Sequence, residues 1–233
     1  MAVPYFYEPQ ITSSSSTYIL SEETSKHVVQ VLRMKEGDHI DLTNGIGQLF
    51  EATITLAHKK SSTVQIEAHK TIEPSTQKIV LGISLLKNVT RLEWLLEKAT
   101  EMGVHTIVPL ICERTIHERF KTERMQNILQ SAMIQSQQVW LPLLTAPTKY
   151  NAFLKTYTAT QQLIAHCEPS LKTSIKEIIP SNDCLLLIGP EGDFSPNEIH
   201  QALQLNYQAI HLGSTRLRTE TAGLFALSIL KKF

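Results

Sequence analysis

Two stretches carry residue types whose spacing could do chemistry. In Cys184–Ile199, "CLLLIGPEGDFSPNEI", an apolar run stops at Gly189-Pro190-Glu191-Gly192 and a helix signal follows. A turn at the carboxyl end of a buried parallel strand is where open α/β sheets hold ligands, and glycines let a ligand approach the main chain closely. The turn has no Lys-Ser/Thr ending and no G-x-G-x-x-G spacing, and Glu191 and Asp193 would repel a polyphosphate. The second stretch, Leu212–Gly223, "LGSTRLRTETAG", again leads from a strand into a helix. Thr219 as an N-cap and Glu220 in the first turn suit helix initiation, which leaves Arg216 and Arg218, beside Leu217, without a structural reason. For both stretches the plainer reading, turn geometry and solvated arginines, stays open.

A third group of candidates is cationic. Lys87, Arg91 and Arg114 could contact phosphate, and His27 and Arg33, in "SKHVVQVLRMKEGD", could face RNA; singly, each also reads as a surface charge. His58, His69, His105 and His117 show no metal-ligand spacing, and no G-x-S-x-G is present. Cys112, Cys167 and Cys184 are scattered, with no C-x-x-C pair, so neither a zinc site nor a disulfide framework is expected, and a reducing cytoplasm is the natural compartment.

The elements that must position these residues fall into two patterns. Residues 1–73 read as β-rich: "HIDL", "LFEATITL" and "TVQIEA" are strand signals, "TNGIG" at Thr43–Gly47 is a hairpin turn, and "SKHVVQVLRM" fits a short helix. A small barrel-like domain ending near Pro74 is expected. From Ile79 strands and helices alternate, which predicts a mostly parallel sheet covered on both faces. "IVLGISLL", "TIVPLI", "QQLIAHC", "CLLLIG" and "AIHLG" are the strands. "TRLEWLLEKATEMG" is a helix, with Thr90 and Glu93 at capping-box spacing, Gly103 at its C-cap and Trp94, Leu95 and Leu96 in the core. "SPNEIHQALQL" is a helix boxed by Ser195 and Glu198, with Pro196 in its first turn.

Totals bound the possibilities. The chain has 233 residues, with 22 Lys and Arg against 22 Asp and Glu, so a uniformly basic nucleic-acid surface is excluded. Residues 1–73 carry 6 basic against 9 acidic side chains and residues 74–233 carry 16 against 13, so any RNA contact must come from local patches. No apolar run approaches the roughly 20 residues that span a bilayer, so no membrane partner is expected. The first ten residues lack the basic and apolar regions of a signal peptide.

Four segments in order, "HVVQVLRMKEGD", "TRLEWLLEKATEMGVHTIVPL", "LLLIGPEGDFSPNEI" and "HLGSTRLRTETAGLFAL", closely resemble the RsmE family, the 16S ribosomal RNA uridine-N3 methyltransferases of the SPOUT superfamily. The resemblance covers nearly the whole chain. It implies a PUA-like β-barrel RNA-binding domain at 1–73 and a SPOUT-type α/β domain with a trefoil knot at 74–233. It implies a homodimer acting on 16S ribosomal RNA of the small subunit, with S-adenosyl-L-methionine bound in the knot. By carry-over, Gly189, Pro190, Glu191, Gly192, Leu212, Gly213, Leu217, Arg218, Thr219 and Ala222 hold the cofactor, Leu187 lines the floor and His166 approaches the pocket. Arg218 would steady the charge on a deprotonated uridine and Glu220 would accept its proton; His27, Arg33, Lys87, Arg91 and Arg114 would meet RNA. A cationic sulfonium with a neutral adenosine accounts for a ligand loop that has acids and no lysine.

The chain departs from the family pattern where Asp193 replaces a glycine, where Arg216 is an added charge, and at Ile134-Gln135-Ser136-Gln137-Gln138, which lacks the usual acid and arginine. Three other readings remain at this point: a SPOUT enzyme for another RNA, a non-enzymatic RNA-binding relative, and a dinucleotide oxidoreductase. The last lacks G-x-G-x-x-G and its ribose-binding acid.

Overall fold

The computed structural model describes residues 3–232. Met1, Ala2 and Phe233, at the ends of the two expected domains, lie outside the described residues. The chain divides into two compact units: Met1–Pro74 with Met133–Leu141, and Ser75–Ala132 with Pro142–Phe233.

In the first unit, β1 (Tyr5–Tyr7), β2 (Thr17–Ile19), β3 (His39–Thr43), β4 (Gln48–Leu56) and β5 (Thr63–Thr71) form a sheet in the order β1-β3-β4-β5-β2. Only the β1–β3 pairing is parallel among the described strands of this sheet. Alternation sets the core: Ile40 and Leu42 of β3 and Phe50, Ala52 and Ile54 of β4 point inward, every second residue. The short helix α1 (Glu22–Lys26) runs into a π-helical turn, His27–Val31. The Asn44–Gly47 loop joins β3 to β4, with Gly45 and Gly47 at positive φ and Asn44 Oδ1 accepting the Ile46 and Gln48 amides.

The stretch 133–141 joins this unit, which a linear division at residue 73 or 74 does not anticipate. The reason is hydrogen bonding to that loop and to Ile72, just after β5. The Gly47 amide donates to Val139 O, the Leu141 amide donates to Gly45 O, and Trp140 Nε1 donates to Ile72 O.

The second unit holds an eight-stranded sheet: β6 (Lys78–Ser84), β7 (Thr106–Ile111), β8 (Leu143–Leu144), β9 (Thr148–Lys149), β10 (Gln161–Ala165), β11 (Thr173–Ser174), β12 (Asp183–Ile188) and β13 (Gln208–His211). The order is β11-β13-β10-β12-β6-β7-β8, with β9 also on β7, and every pairing is parallel. Its helices are α2 (Val89–Glu101), α3 (Thr122–Gln135), α4 (Tyr150–Thr156), α5 (Pro196–Gln204) and α6 (Thr219–Leu230). Helix α6 packs on α2, β6 and β12, where Gly223 permits the approach: a Cβ there would meet Leu95 Cδ1 at 3.0 Å.

Two helix starts differ from expectation. Helix α2 is capped by Asn88, whose side chain accepts the Thr90 amide, so Thr90 already lies in the first turn and Glu93 pairs with Arg124 instead. Its buried face is Leu92, Leu95, Leu96 and Ala99; Trp94 projects about opposite that face at 100° per residue and is 46% exposed, not core. Helix α6 starts at Thr219, with Arg218 as an N-cap that makes no side-chain capping bond; Thr219 is buried inside the first turn. Gly103 does close α2 at φ +68°, and Ser195 and Glu198 do form the capping box of α5.

Candidate active site

The loops after β10, β12 and β13, neighbours in the sheet, surround a cavity of about 630 Å³. Its floor is the carboxyl ends of those strands, Ala165, Ile188 and Ile210. This is where a parallel sheet leaves strand termini open to a ligand.

The loop after β12 has a forced shape. A Cβ on Gly189 would sit 2.9 Å from the Phe194 main-chain nitrogen, so only glycine fits. The Asp193 amide donates to Pro190 O at 2.9 Å, and Asp193 itself takes φ +66°. Three side chains secure the turn. Asp193 Oδ2 accepts the Cys167 amide at 2.7 Å, tying the loop after β12 to the loop after β10. Glu191 Oε1 accepts the Lys87 amide at 3.0 Å. Arg114 Nη1 donates to Gly192 O at 2.8 Å and to Phe194 O at 3.3 Å. Behind them, Glu198 Oε1 accepts the Glu113 amide, which joins the cap of α5 to the end of β7.

Gly213, in the loop after β13, has φ +123° and open space around its missing Cβ; there the backbone angle, not crowding, calls for glycine. Arg216 and Arg218 line the cavity and are exposed, and among the described residues neither guanidinium holds a hydrogen bond or ion pair. Lys172 Nζ donates to the His166 and Glu168 carbonyls. His166 lines the cavity at 6% exposure with neither ring nitrogen hydrogen-bonded. Burial, and then the Lys172 charge, hold its pKa below the ordinary value.

Of the residues expected at the cofactor, Gly189, Pro190, Glu191, Leu212, Gly213, Leu217, Arg218, Thr219 and Ala222 line this one cavity. Leu187 does not. Strand alternation sends its side chain into the core with Leu185, Val108 and Phe153, and Ile188 reaches the cavity instead. Gly192 stands just outside, its carbonyl taken by Arg114. Glu220 is also outside the lining: its carboxylate is largely buried and lies 3.7 Å from Arg91 Nε. Arg91 lines the cavity and, with Lys87, a second cleft. Arg114 braces the turn through Nη1 alone and is otherwise exposed. His27 and Arg33 belong to the first unit and are exposed, His27 edge-on to Phe6 and Arg33 at φ +56°.

Sequence reasoning missed Ala165 and Ile188, findable as the last residues of β10 and β12, Ile210, next to the last of β13, and Cys167 and Lys172, which carry no local signal. Among the described residues no group of three His, Cys, Asp or Glu is placed to hold a metal ion, and no helix is long and apolar enough to cross a membrane.

The family model described as an RNA methyltransferase domain matches residues 73–231, and that of an RNA methyltransferase PUA domain matches residues 20–67. A crystal structure of ribosomal RNA small subunit methyltransferase E from Neisseria gonorrhoeae, bound to S-adenosyl methionine, superposes with a TM-score of 0.87 at 31% identity, over 97% of this chain and 96% of that one. The chain belongs to the RsmE family of RNA methyltransferases. Members with the same description in Bacillus subtilis and in Buchnera aphidicola from Schizaphis graminum are each 29% identical, the first over 97% of this chain and 94% of its own length, the second over 98% and 96%. In RsmE terms, the 630 Å³ cavity lies wholly within the methyltransferase match, and the β3–β4–β5 core lies within the PUA match, apart from the end of β5.

Proposed function

We propose that this RNA methyltransferase transfers a methyl group from S-adenosylmethionine to N3 of a uridine in 16S ribosomal RNA of the small subunit. The observation that carries the reading is the single cavity built by the loops after β10, β12 and β13. Its fit to the cofactor is chemical. Ala165, Ile188, Ile210 and Leu217 offer apolar walls to adenine, and the main chain at Gly189, Leu212 and Gly213 offers donors and acceptors to its polar edge. Glu191 and Asp193 give a cationic ligand an acidic border. His166, with two unused ring nitrogens, is a polar group awaiting a ligand.

S-adenosylmethionine supplies a methyl group made electrophilic by its sulfonium. The chain's own work is to position the acceptor and manage its proton. Uridine N3 must lose a proton, which leaves charge on O2 and O4. Arg218, at the cavity wall with no internal partner among the described residues, is the donor for that charge. Glu220, removed from the cavity lining, becomes a positioning residue that holds Arg91. Glu191 lines both the cavity and the adjoining cleft; with Oε1 held by the Lys87 amide, its other oxygen is the acceptor for the N3 proton.

Residues 1–73 bind RNA, with His27 and Arg33 among the contacts, and residues 74–233 carry out transfer. The return of α6 onto β6 and β12 after β13 supports a knotted backbone, and the enzyme works as a cytoplasmic homodimer. The test is twofold. Calorimetry should detect S-adenosylmethionine binding, and small ribosomal subunits from cells lacking the protein should gain 3-methyluridine, read by nucleoside mass spectrometry, when protein and cofactor are added. Binding without 3-methyluridine would move the activity to another base or RNA.

A further inference from the structure

A second cleft, of about 570 Å³, opens beside the cofactor cavity and is lined by Lys87, Asn88, Val89, Arg91, Ile116 and Glu191. Arg91 and Glu191 line both spaces, so whatever fills the second lies against the contents of the first. Its chemistry is mixed in a specific way. Val89 and Ile116 are apolar yet 41% and 62% exposed, an arrangement that leaves two apolar surfaces without cover. Among the described residues Lys87 Nζ holds no hydrogen bond or ion pair. Asn88 spends its side-chain oxygen on the Thr90 amide and keeps its NH₂ unused. The positive end of α2, which begins at Val89, faces the same region of chain.

We infer that this cleft seats the acceptor nucleotide, turned out of its strand, with base and phosphate bound together. The inference rests on the methyl-transfer reading above and adds where the RNA substrate binds. A base leaving its stack must replace the lost apolar contact, and Val89 and Ile116 supply it. A pyrimidine presents O2 and O4 as acceptors; the Asn88 NH₂ and the Arg91 guanidinium, which lines both spaces, add donors to that of Arg218. Lys87, beside the helix N-terminus, takes the phosphate. The N3–H then faces the edge shared with the cofactor cavity, where Glu191 stands.

The test uses the full-length protein and the variants Ile116→Asp and Lys87→Gln, both at exposed positions. Three measurements are made: S-adenosylmethionine affinity by calorimetry, methyl transfer to small ribosomal subunits, and mass by light scattering. Misplacing an acceptor by about 1 Å can cost about a hundredfold in rate, so Ile116→Asp should lower transfer by about tenfold or more, with cofactor affinity within about twofold of the parent. Lys87→Gln should raise KM for the RNA and flatten its salt dependence, with kcat little changed. A smaller fall for Ile116→Asp overturns the inference. So does a halving of its mass, because the cleft would then face a second copy of the chain. A parent that binds no S-adenosylmethionine overturns the methyl-transfer reading itself, and this inference with it.

Discussion

Asp193 Oδ2 lies 2.7 Å from the Cys167 main-chain nitrogen, so one carboxylate links the loop after β12 to the loop after β10 across the cofactor cavity. The residue sits at φ +66°, a conformation glycine takes freely and aspartate tolerates. At a backbone angle that suits glycine, the aspartate supplies a clamp.

Substituting Asp193 separates backbone from clamp. Asp193→Gly keeps the angle and loses a charged hydrogen bond, worth about 1.5–3 kcal/mol, so S-adenosylmethionine affinity should fall by about tenfold or more. Asp193→Ala should fall further, because the left-handed angle adds about 1 kcal/mol of strain. Calorimetry on both variants checks the order; equal losses would mean that the angle contributes nothing.

Gly189 and Gly213 make a matched pair of controls. Gly189→Ala forces a Cβ to 2.9 Å from Phe194 N, and overpacking costs about 1–3 kcal/mol, so cofactor binding should fail while most of the fold survives. Gly213→Ala meets no atom within 4 Å and pays only for φ +123°. Thermal melts with and without S-adenosylmethionine should show the cofactor shift abolished in the first variant and reduced in the second.

For chemistry, Arg218→Ala should lower kcat by about a hundredfold or more, as removal of one oxyanion-type donor does, and leave cofactor affinity near that of the parent. Glu191→Gln, which keeps the side chain's shape and removes its basic oxygen, should lower kcat by about a hundredfold. Single-turnover transfer assays read both.

The cysteines give a labelling experiment. Burial pushes the Cys112 and Cys184 thiols up to about 12, which leaves them inert, whereas Cys167 is exposed and lines the cavity. One alkylation per native chain is expected, at Cys167, slowed by S-adenosylmethionine. Peptide mass spectrometry locates the adduct; labelling at a rate independent of the cofactor would separate Cys167 from its site.

Stability should depend on pH through two histidines. Burial lowers the folded pKa of both His105 and His166 below the ordinary 6.5. The unfolded chain therefore binds more protons in the window below 6.5, and stability rises with pH there. It is fully present above about 6.5 and lost as pH falls toward the folded values. Denaturation midpoints measured between about pH 7.5 and 5 should decline, and His166→Gln should shrink the decline.

Local signals made much of this legible. The β6, β7, β12 and β13 segments read directly as apolar runs, and the α5 capping box lay in four adjacent residues, Ser195 to Glu198. Thr90 and Trp94 differ from expectation for separate reasons: Asn88 takes the N-cap, which puts Thr90 in the first turn, and Trp94 lies about opposite the face of Leu92, Leu95, Leu96 and Ala99. The pairing of 133–141 with the Asn44–Gly47 loop joins residues about ninety apart, which no local pattern encodes. The same holds for Arg114, whose guanidinium seeks carbonyls 78 and 80 positions away. Which face of β12 meets the cavity, Leu187 or Ile188, depends on the sheet's orientation, and the all-apolar run gives no parity to read.

The pairing of β6 with β12 joins Lys78 to Asp183, and α6 then closes over both strands. Partners about a hundred residues apart leave β6 without its β12 neighbour until β12 has been made, and β13 and α6 follow β12 in the chain. The cavity draws its lining from β10, β12, β13 and the start of α6, so it is complete only when all four of those segments are in place.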